Sequence, residues 1–247
     1  MTGARGGQTS PNLGIHIGLS LIAPDTFEEL AEKYAKQDPA AYLAEGADSH
    51  PTIIAGYAAF QKLHAKHMRK KNVSFLSHAL GSGSPGGYAV NLHTLSHGSI
   101  NIDPKKPEAE PLVDYRALTN PMDMDVMIAL VRYIRRFINS EALAAYKPVE
   151  VSPGAEIESD ADLAEWIRDT YIPTVYHPVG SAAKMPLELG GVVSEELVVH
   201  GTKNLRIVDA SIMPAVPGAP TSQTVYMIAE KASRSSPLVR LIKSFCR

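Results

Sequence analysis

The residue in this chain best suited to proton transfer is His177, set in Tyr176-His177-Pro178-Val179-Gly180. An imidazole changes charge near neutral pH and can accept or return a proton. Pro178 restricts the backbone beside it, and Gly180 allows the chain to approach a ligand closely. On residue type alone a structural loop histidine is the favoured reading of His177. The other chemistry-bearing patterns carry less. Gly81, Gly83 and Gly86 spell Gly-x-Gly-x-x-Gly, the form of a dinucleotide-binding turn. Such a turn needs a strand before it and a helix after it, so that N–H groups and the helix dipole meet a pyrophosphate. Here Pro85 lies inside the pattern and the alternating Tyr88-Ala-Val-Asn-Leu follows, so a hairpin loop is expected. There is no Gly-x-x-x-x-Gly-Lys-Ser/Thr loop and no Gly-x-Ser-x-Gly nucleophile elbow. His64 and His67 are three apart on a helical stretch with no carboxylate or third histidine nearby in sequence. They are expected to face solvent rather than a metal. His93 and His97 flank a turn between strands and are assigned turn or sheet-edge roles.

Elements able to position these residues follow from apolar periodicity. Asp25–Tyr34 reads as a helix with Asp25 as cap and Phe27, Leu30, Ala31 and Tyr34 on one face. Ala55–Met68 is a second helix, ending in the basic run Lys66–Lys71, which is expected to be a solvated face. Val73–Leu76, Tyr88–Leu92 and Ser99–Asp103 alternate apolar and polar residues as strands do, with Gly, Ser and Pro between them. Asn120-Pro121 opens a long helix, Asn at the N-cap and Pro at the first helical position. Its predicted apolar face is Met124, Met127, Ile128, Val131, Ile134 and Ile138, with Arg132, Arg135 and Arg136 opposite. Ser159-Asp-Ala-Asp162 resembles a capping box ahead of Leu163, Trp166, Ile167 and Thr170, and Pro173 stops that helix. Leu205–Asp209 is predicted as a short strand, and Thr224–Ala232 as a last helix with Val225, Ile228, Ala229 and Ala232 inward. Helices and antiparallel-type strands in blocks, without a βαβ rhythm, give an α+β class: a mainly antiparallel sheet covered by helices, with no complete Rossmann domain.

The 247 residues carry 24 Lys+Arg against 26 Asp+Glu, a formal net charge of −2. That balance argues against a nucleic-acid or membrane-surface binder, which would show a basic face. With 45% apolar and 20% charged residues the chain is ordinary globular material. Its one cysteine, Cys246, excludes an intramolecular disulfide framework and a cysteine-only zinc site. The run Ile15–Ala23 is too short to span a bilayer, and no signal peptide is read at the start, so a cytoplasmic location is the default expectation.

An ordered set of segments changes the reading of His177. After His177-Pro-Val-Gly come Gly190-Gly-Val-Val, then His200-Gly-Thr-Lys-Asn-Leu-Arg-Ile-Val-Asp-Ala-Ser-Ile-Met-Pro214, then Pro220-Thr-Ser-Gln-Thr-Val-Tyr-Met-Ile-Ala-Glu-Lys-Ala232. This resembles the C-terminal signature of the glucose–methanol–choline (GMC) oxidoreductases, flavoenzymes that oxidise alcohols. Upstream, Leu95-Ser-His-Gly-Ser-Ile, Glu110-Pro-Leu-Val-Asp-Tyr-Arg, Thr119-Asn-Pro-Met-Asp and Ser159-Asp-Ala-Asp-Leu resemble the substrate domain of fungal members. The likeness covers roughly 75–232.

The resemblance implies an FAD-dependent oxidoreductase acting on CH–OH groups of a small molecule, in fungal-type secondary metabolism. It makes His177 the catalytic base near the flavin and places Ala210, Thr221 and Ser222 against the cofactor. It divides the chain into a flexible segment 1–20, a substrate-binding-like domain 21–175, a C-terminal signature segment 176–235 contributing to the flavin site, and a tail 236–247. Two departures stand out. The family's second His or Asn, which hydrogen-bonds the substrate oxygen, falls at Pro220, whose side chain can neither donate nor accept. The family's N-terminal FAD domain, with its own Gly-x-Gly-x-x-Gly, has no counterpart here, so the chain is expected to be a C-terminal half that binds FAD weakly alone. The competing expectation is a non-catalytic remnant or binding domain that has lost FAD; a fold-only relative with other chemistry is a third.

Overall fold

The computed structural model describes residues 13–80 and 87–235. Strand β1 (Leu13–Gly18) runs into a single helical turn, α1 (Leu19–Ile22), and then α2 (Phe27–Ala35) and α3 (Pro51–Met68). Strands β2 (Ser74–Leu80) and β3 (Gly87–Asn91) follow, then the short β4 (Ser99–Asn101) and β5 (Leu112–Asp114). Helices α4 (Pro121–Ile138), α5 (Asp160–Thr170) and α6 (Ser222–Ser235) complete the order. The sheet order is β1-β2-β3, antiparallel throughout, and β4 pairs with β5 in a separate antiparallel ribbon. The α+β class is therefore observed. Residues 13–18, which the sequence places in a flexible segment, instead form an edge strand, with Ile17 opposite Leu76 and buried. Neither residues 1–12 nor the tail with Cys246 fall among the described residues. The Gly81–Gly86 loop also lies outside them, but the strands on either side meet antiparallel at Leu80↔Gly87. A strand followed by an antiparallel strand cannot aim a helix N-terminus at a pyrophosphate.

The core joins this sheet to the helices: Leu19, Ile22, Ala31, Tyr34, Met68, Phe75, Leu76, Leu95, Met122, Val126 and Leu130 form one buried cluster. Phe27 and Leu30 pack against it, as the period of α2 predicts, although Asp25 does not cap that helix: Thr26 precedes it without a side-chain cap bond. Helix α3 begins four residues earlier than expected, with Pro51 at its first position, where a missing N–H costs nothing. On α4 the buried face is rotated from the prediction. Met122, Asp123, Val126 and Leu130 face inward, whereas Met124 and Ile128 are half-buried. Residues 126–131 are apolar all round, so the period alone does not choose a face. Arg135 is no solvated residue either: it forks onto Glu150 and donates to the Gly154 carbonyl, tying the 140–158 loop to α4.

What orients α4 is polar. Asn120 caps the helix by accepting from the Met122 N–H (3.0 Å). Its amide donates to Gln37 Oε1 (2.9 Å) and Tyr57 Oη (3.2 Å), and Tyr57 Oη donates to the Leu95 carbonyl (2.8 Å). Asp123, almost fully buried, accepts from the N–H groups of Leu95 (2.7 Å) and Ser96 (2.8 Å). Ser159 caps α5 as expected, accepting from the Asp162 N–H, and α5 stops at Thr170, three residues before Pro173. The predicted strand at 205–209 is absent; only the single bridge Val198↔Arg206 forms, with Leu205 left exposed. Among the described side chains of α6 none is buried; Val225, Ile228 and Ala232 are half-buried and Ala229 is exposed.

Replacing Asp123 by Ala leaves two N–H groups without an acceptor in the interior, at about 1–3 kcal/mol each. Chemical denaturation of Asp123→Ala should show a loss of roughly 2–4 kcal/mol, with Asp123→Asn, which keeps one acceptor oxygen, losing less. Equal losses in the two variants would remove this role from the carboxylate.

Candidate active site

After α5 the chain makes a sharp turn in which the Thr174 hydroxyl accepts from the N–H groups of Tyr176 (3.1 Å) and His177 (3.4 Å). Tyr176 adopts a left-handed φ of 64° and is 95% exposed, whereas His177 is half-buried. Three residues on, Gly180 sits at φ 91°, where a side chain would be strained, and a Cβ there would lie 3.3 Å from the Met213 carbonyl oxygen. The chain then runs beside the segment that carries Ala210. The N–H of Ala182 donates to the Ser211 carbonyl (3.0 Å) and that of Lys184 to the Ile212 carbonyl (2.8 Å). Asp209 caps the tight 3-10 turn Ala210–Ile212 by accepting from the Ser211 N–H (2.8 Å). Main-chain bonds thus pair the stretch that begins five residues after His177 with the turn that carries Ala210.

Thr221 and Ser222 stand on the next element. Thr221 is buried and its carbonyl accepts from the Val225 N–H at the start of α6; Ser222 is exposed in the first turn. The first N–H groups of a helix have no partner within it and carry partial positive charge, which suits contact with an electron-rich group. Pro220, just before, is exposed. The signature segment is anchored to the rest of the fold at α3. Gly56 of that helix faces the Leu187–Leu189 turn so closely that a Cβ would stand 2.3 Å from the Leu189 carbonyl oxygen. His200 Nε2 meets the Met185 carbonyl (3.1 Å), closing the same lobe.

The largest departure from the sequence reading concerns the other histidines. His64 is 1% exposed, stacked on Phe60 with ring centroids 3.9 Å apart, and in edge contact with His93 (5.1 Å) and His67 (5.6 Å). His97 packs edge-on to Tyr57 and Phe60. Burial holds His64 down to about 3, with His93 adding to it, and holds His93 and His97 down to about 4, the Ser74 backbone partly opposing this at His93. Neither a solvated helix face nor a sheet edge describes them. The spacing Tyr57, Phe60, Gln61, His64, Ala65, Met68 is a helical face, and reading the histidine as part of it would have found the cluster. Among the described residues no group of three or more His, Cys, Asp or Glu is arranged to hold a metal ion. A cavity of about 500 Å³ lies between His64, His67, His93 and the loop Ala215–Ala219; His177, Ala210, Thr221 and Ser222 do not line it.

Two outcomes follow from these contacts. Alanine favours a helix interior over glycine by about 1 kcal/mol, but a methyl group at Gly56 collides with main chain, at about 1–3 kcal/mol. Gly56→Ala should therefore be destabilised in chemical denaturation; a stabilised variant would show that the lobe is not seated there. The buried imidazoles stay neutral in the fold, while in the unfolded chain they take up protons below their ordinary value of 6.5. Their contribution is full above that pH and is lost as pH falls towards 4, by up to about 1.4 kcal/mol per pH unit for each. Denaturation midpoints should fall between pH 7 and 5, and less steeply in His64→Phe; a slope unchanged by that substitution would contradict the assignment.

Comparison with known proteins identifies the family and the fold. The family model for GMC oxidoreductases matches residues 94–229, more than half of the chain. The dehydrogenase xptC of Emericella nidulans is 32% identical over 211 residues, covering 85% of this chain and 33% of its own length. Pyranose dehydrogenase of Agaricus campestris is 37% identical over 145 residues, 58% of this chain and 24% of that protein. Among solved structures, a fungal aryl-alcohol oxidase superposes with a TM-score of 0.85 at 32% identity, over 90% of this chain and 38% of that one. An FAD-dependent oxidoreductase from Chaetomium thermophilum gives 0.84 at 29% identity, with the same coverage. The chain spans about a third or less of the length of these curated relatives. By the matched model, the shared fold and the ordered motifs from Leu95 to Lys231, the chain belongs to the GMC oxidoreductase family.

Proposed function

We propose that these residues form the substrate-side and C-terminal part of an FAD-dependent oxidoreductase that oxidises a CH–OH group of a small molecule, with His177 as the proton acceptor. The observation that supports the reading is the main-chain pairing of 182–184, the stretch that follows the His177 turn, with 211–212, the stretch that carries Ala210. The residues present fit one flank of a flavin. Ala210 is small and half-buried on a capped turn, and Thr221 and Ser222 open the N-terminus of α6. FAD, when bound, supplies the acceptor for the hydride that leaves the alcohol carbon. The protein's part is to position the alcohol and move its proton. The Thr174 hydroxyl fixes the turn that presents His177, and the imidazole of His177 takes the hydroxyl proton. Pro220 offers no side-chain hydrogen bond to the alcohol oxygen, so this site relies on fewer polar contacts than the family pattern supplies.

The uncovered apolar surface supports a larger whole. Ile172, Val175 and Tyr176 beside the His177 turn are exposed, as are Leu205, Val208, Tyr226 and Met227. Large apolar side chains left exposed on these segments suit coverage by another part of a protein, and a flavin-binding part of the length found in the relatives is the occupant that fits. Among the described residues no helix is long and apolar enough to cross a membrane.

The test is turnover of alcohols by the chain joined to a family flavin domain. His177→Ala should lower kcat by about 10²–10⁴ with little change in KM, since a positioned base contributes that much to the chemical step. Unchanged kcat in a folded, flavin-loaded variant would remove His177 from the reaction.

A further inference from the structure

A second cleft, of about 460 Å³, lies where the end of α2 meets α3. Ala35, Ala58 and Ala65 supply its apolar floor, and Gln61, Lys62, Lys66 and Arg69 complete the lining; no Asp or Glu takes part. Lys62, Lys66 and Arg69 are spaced four and three residues apart, which puts all three cations on one helical face. Arg69 is already engaged: it donates to Glu28, Glu32 and the Ala65 carbonyl, and stands as a fixed wall. The exposed Lys62 and Lys66 have no carboxylate partner among the described residues, whereas Lys33 and Lys36 on α2 are paired with Asp125 and Glu32. Like charges four residues apart on a helix oppose each other, and an anion between them relieves this. The end of a helix ordinarily repels an anion through its open carbonyls. Here Gln61 Nε2 donates to the Tyr34 (2.7 Å) and Gln37 (2.9 Å) carbonyls and so answers two of them.

We infer that this cleft binds a small carboxylate carrying an apolar ring, the carboxylate between the Lys62 and Lys66 ammonium groups and the ring over Ala35, Ala58 and Ala65. Small-molecule pockets of this volume are mostly apolar, with a few charged groups that fix the orientation of the guest. A cation would meet three like charges, and a neutral ring would leave both lysines unanswered. An inorganic anion would satisfy the lysines and leave the alanine floor in water. The stems of Lys62 and Lys66 add apolar surface below their charged heads. The cleft shares no residue with the His177, Ala210, Thr221 and Ser222 set, so the inference stands apart from the flavin reading.

Benzoate is the probe, and benzamide, of the same shape without the charge, is its control. In the 247-residue chain labelled at lysine, titration with benzoate should move the Lys62 and Lys66 Cε resonances saturably. Benzamide should bind about tenfold more weakly, the loss expected when a charged hydrogen-bond partner becomes neutral. Acetate, which lacks the ring, should also lose about tenfold, because nothing covers the floor. Added salt should weaken benzoate and leave benzamide unmoved. The double variant Lys62→Gln and Lys66→Gln should weaken benzoate about tenfold at an unchanged melting temperature, since neither residue is held in an ion pair. Lys105→Gln with Lys106→Gln removes the same charge from the exposed turn after β4 and should leave the affinity as it was. Ala58→Glu sets a tethered carboxylate four residues before Lys62, an order that favours the helix, and should abolish binding. The inference is overturned by the absence of a saturable shift, by benzamide or acetate binding as tightly as benzoate, or by equal losses in the two lysine double variants.

Discussion

Asn120 and Asp123, one turn apart at the start of α4, hold three separate segments in place by hydrogen bonds. Through Asn120 the helix grips Gln37 after α2 and Tyr57 on α3; through Asp123 it accepts the N–H groups of Leu95 and Ser96. A buried polar group of this kind stabilises only when every partner is present, and then it admits one arrangement where an apolar contact would admit several. The stretch it fixes, 92–97, carries His93 and His97 on either side of Leu95 and so places both rings in the imidazole cluster, His93 against His64 and His97 against Tyr57 and Phe60. The same α3 that receives Asn120 through Tyr57 also receives the signature lobe at Gly56. The signature lobe and the imidazole cluster thus share one support.

The C-terminal lobe is built differently. It has little regular structure: isolated bridges, two 3-10 turns and main-chain bonds from Ala182 and Lys184 to Ser211 and Ile212. Positive φ at Tyr176, Gly180 and Gly190 marks where it bends. Such a segment depends on close packing against a scaffold, because it has few repeating hydrogen bonds of its own. Helix α3 supplies one side of that scaffold at Gly56, while Tyr176, Val208 and Tyr226 stay exposed.

Periodicity made much of this legible. The face of α2, the Asn120-Pro121 and Ser159 starts and the antiparallel blocks all follow from local pattern and capping chemistry, which act within a few residues. What failed was tertiary. The inward face of α4 is chosen by Asp123 binding two distant N–H groups, and no local rule sends a carboxylate into a core. The polarity of histidine predicts a solvent-facing His64, although it lies on the same helical face as Tyr57 and Met68. Edge strand β1 escaped because it is recognisable only through its partner β2. For the site, single-residue chemistry left His177 ambiguous; the order of the motifs after it identified the family, and the roles of Ala210, Thr221 and Ser222 rest on that likeness together with the turns that present them.

The central claim is that this chain supplies one flank of a flavin site and needs a second part to complete it. The most direct measurement is the flavin bound per chain, by absorbance, in the 247-residue protein purified alone and in the same protein fused behind the flavin-binding domain of a family member. A dinucleotide whose pyrophosphate is held by no Gly-rich turn at a helix N-terminus loses most of its anchoring contacts. The account predicts well under one flavin per chain alone and close to one in the fusion, with alcohol-dependent bleaching only in the fusion. Stoichiometric FAD and turnover in the unassisted chain would contradict it.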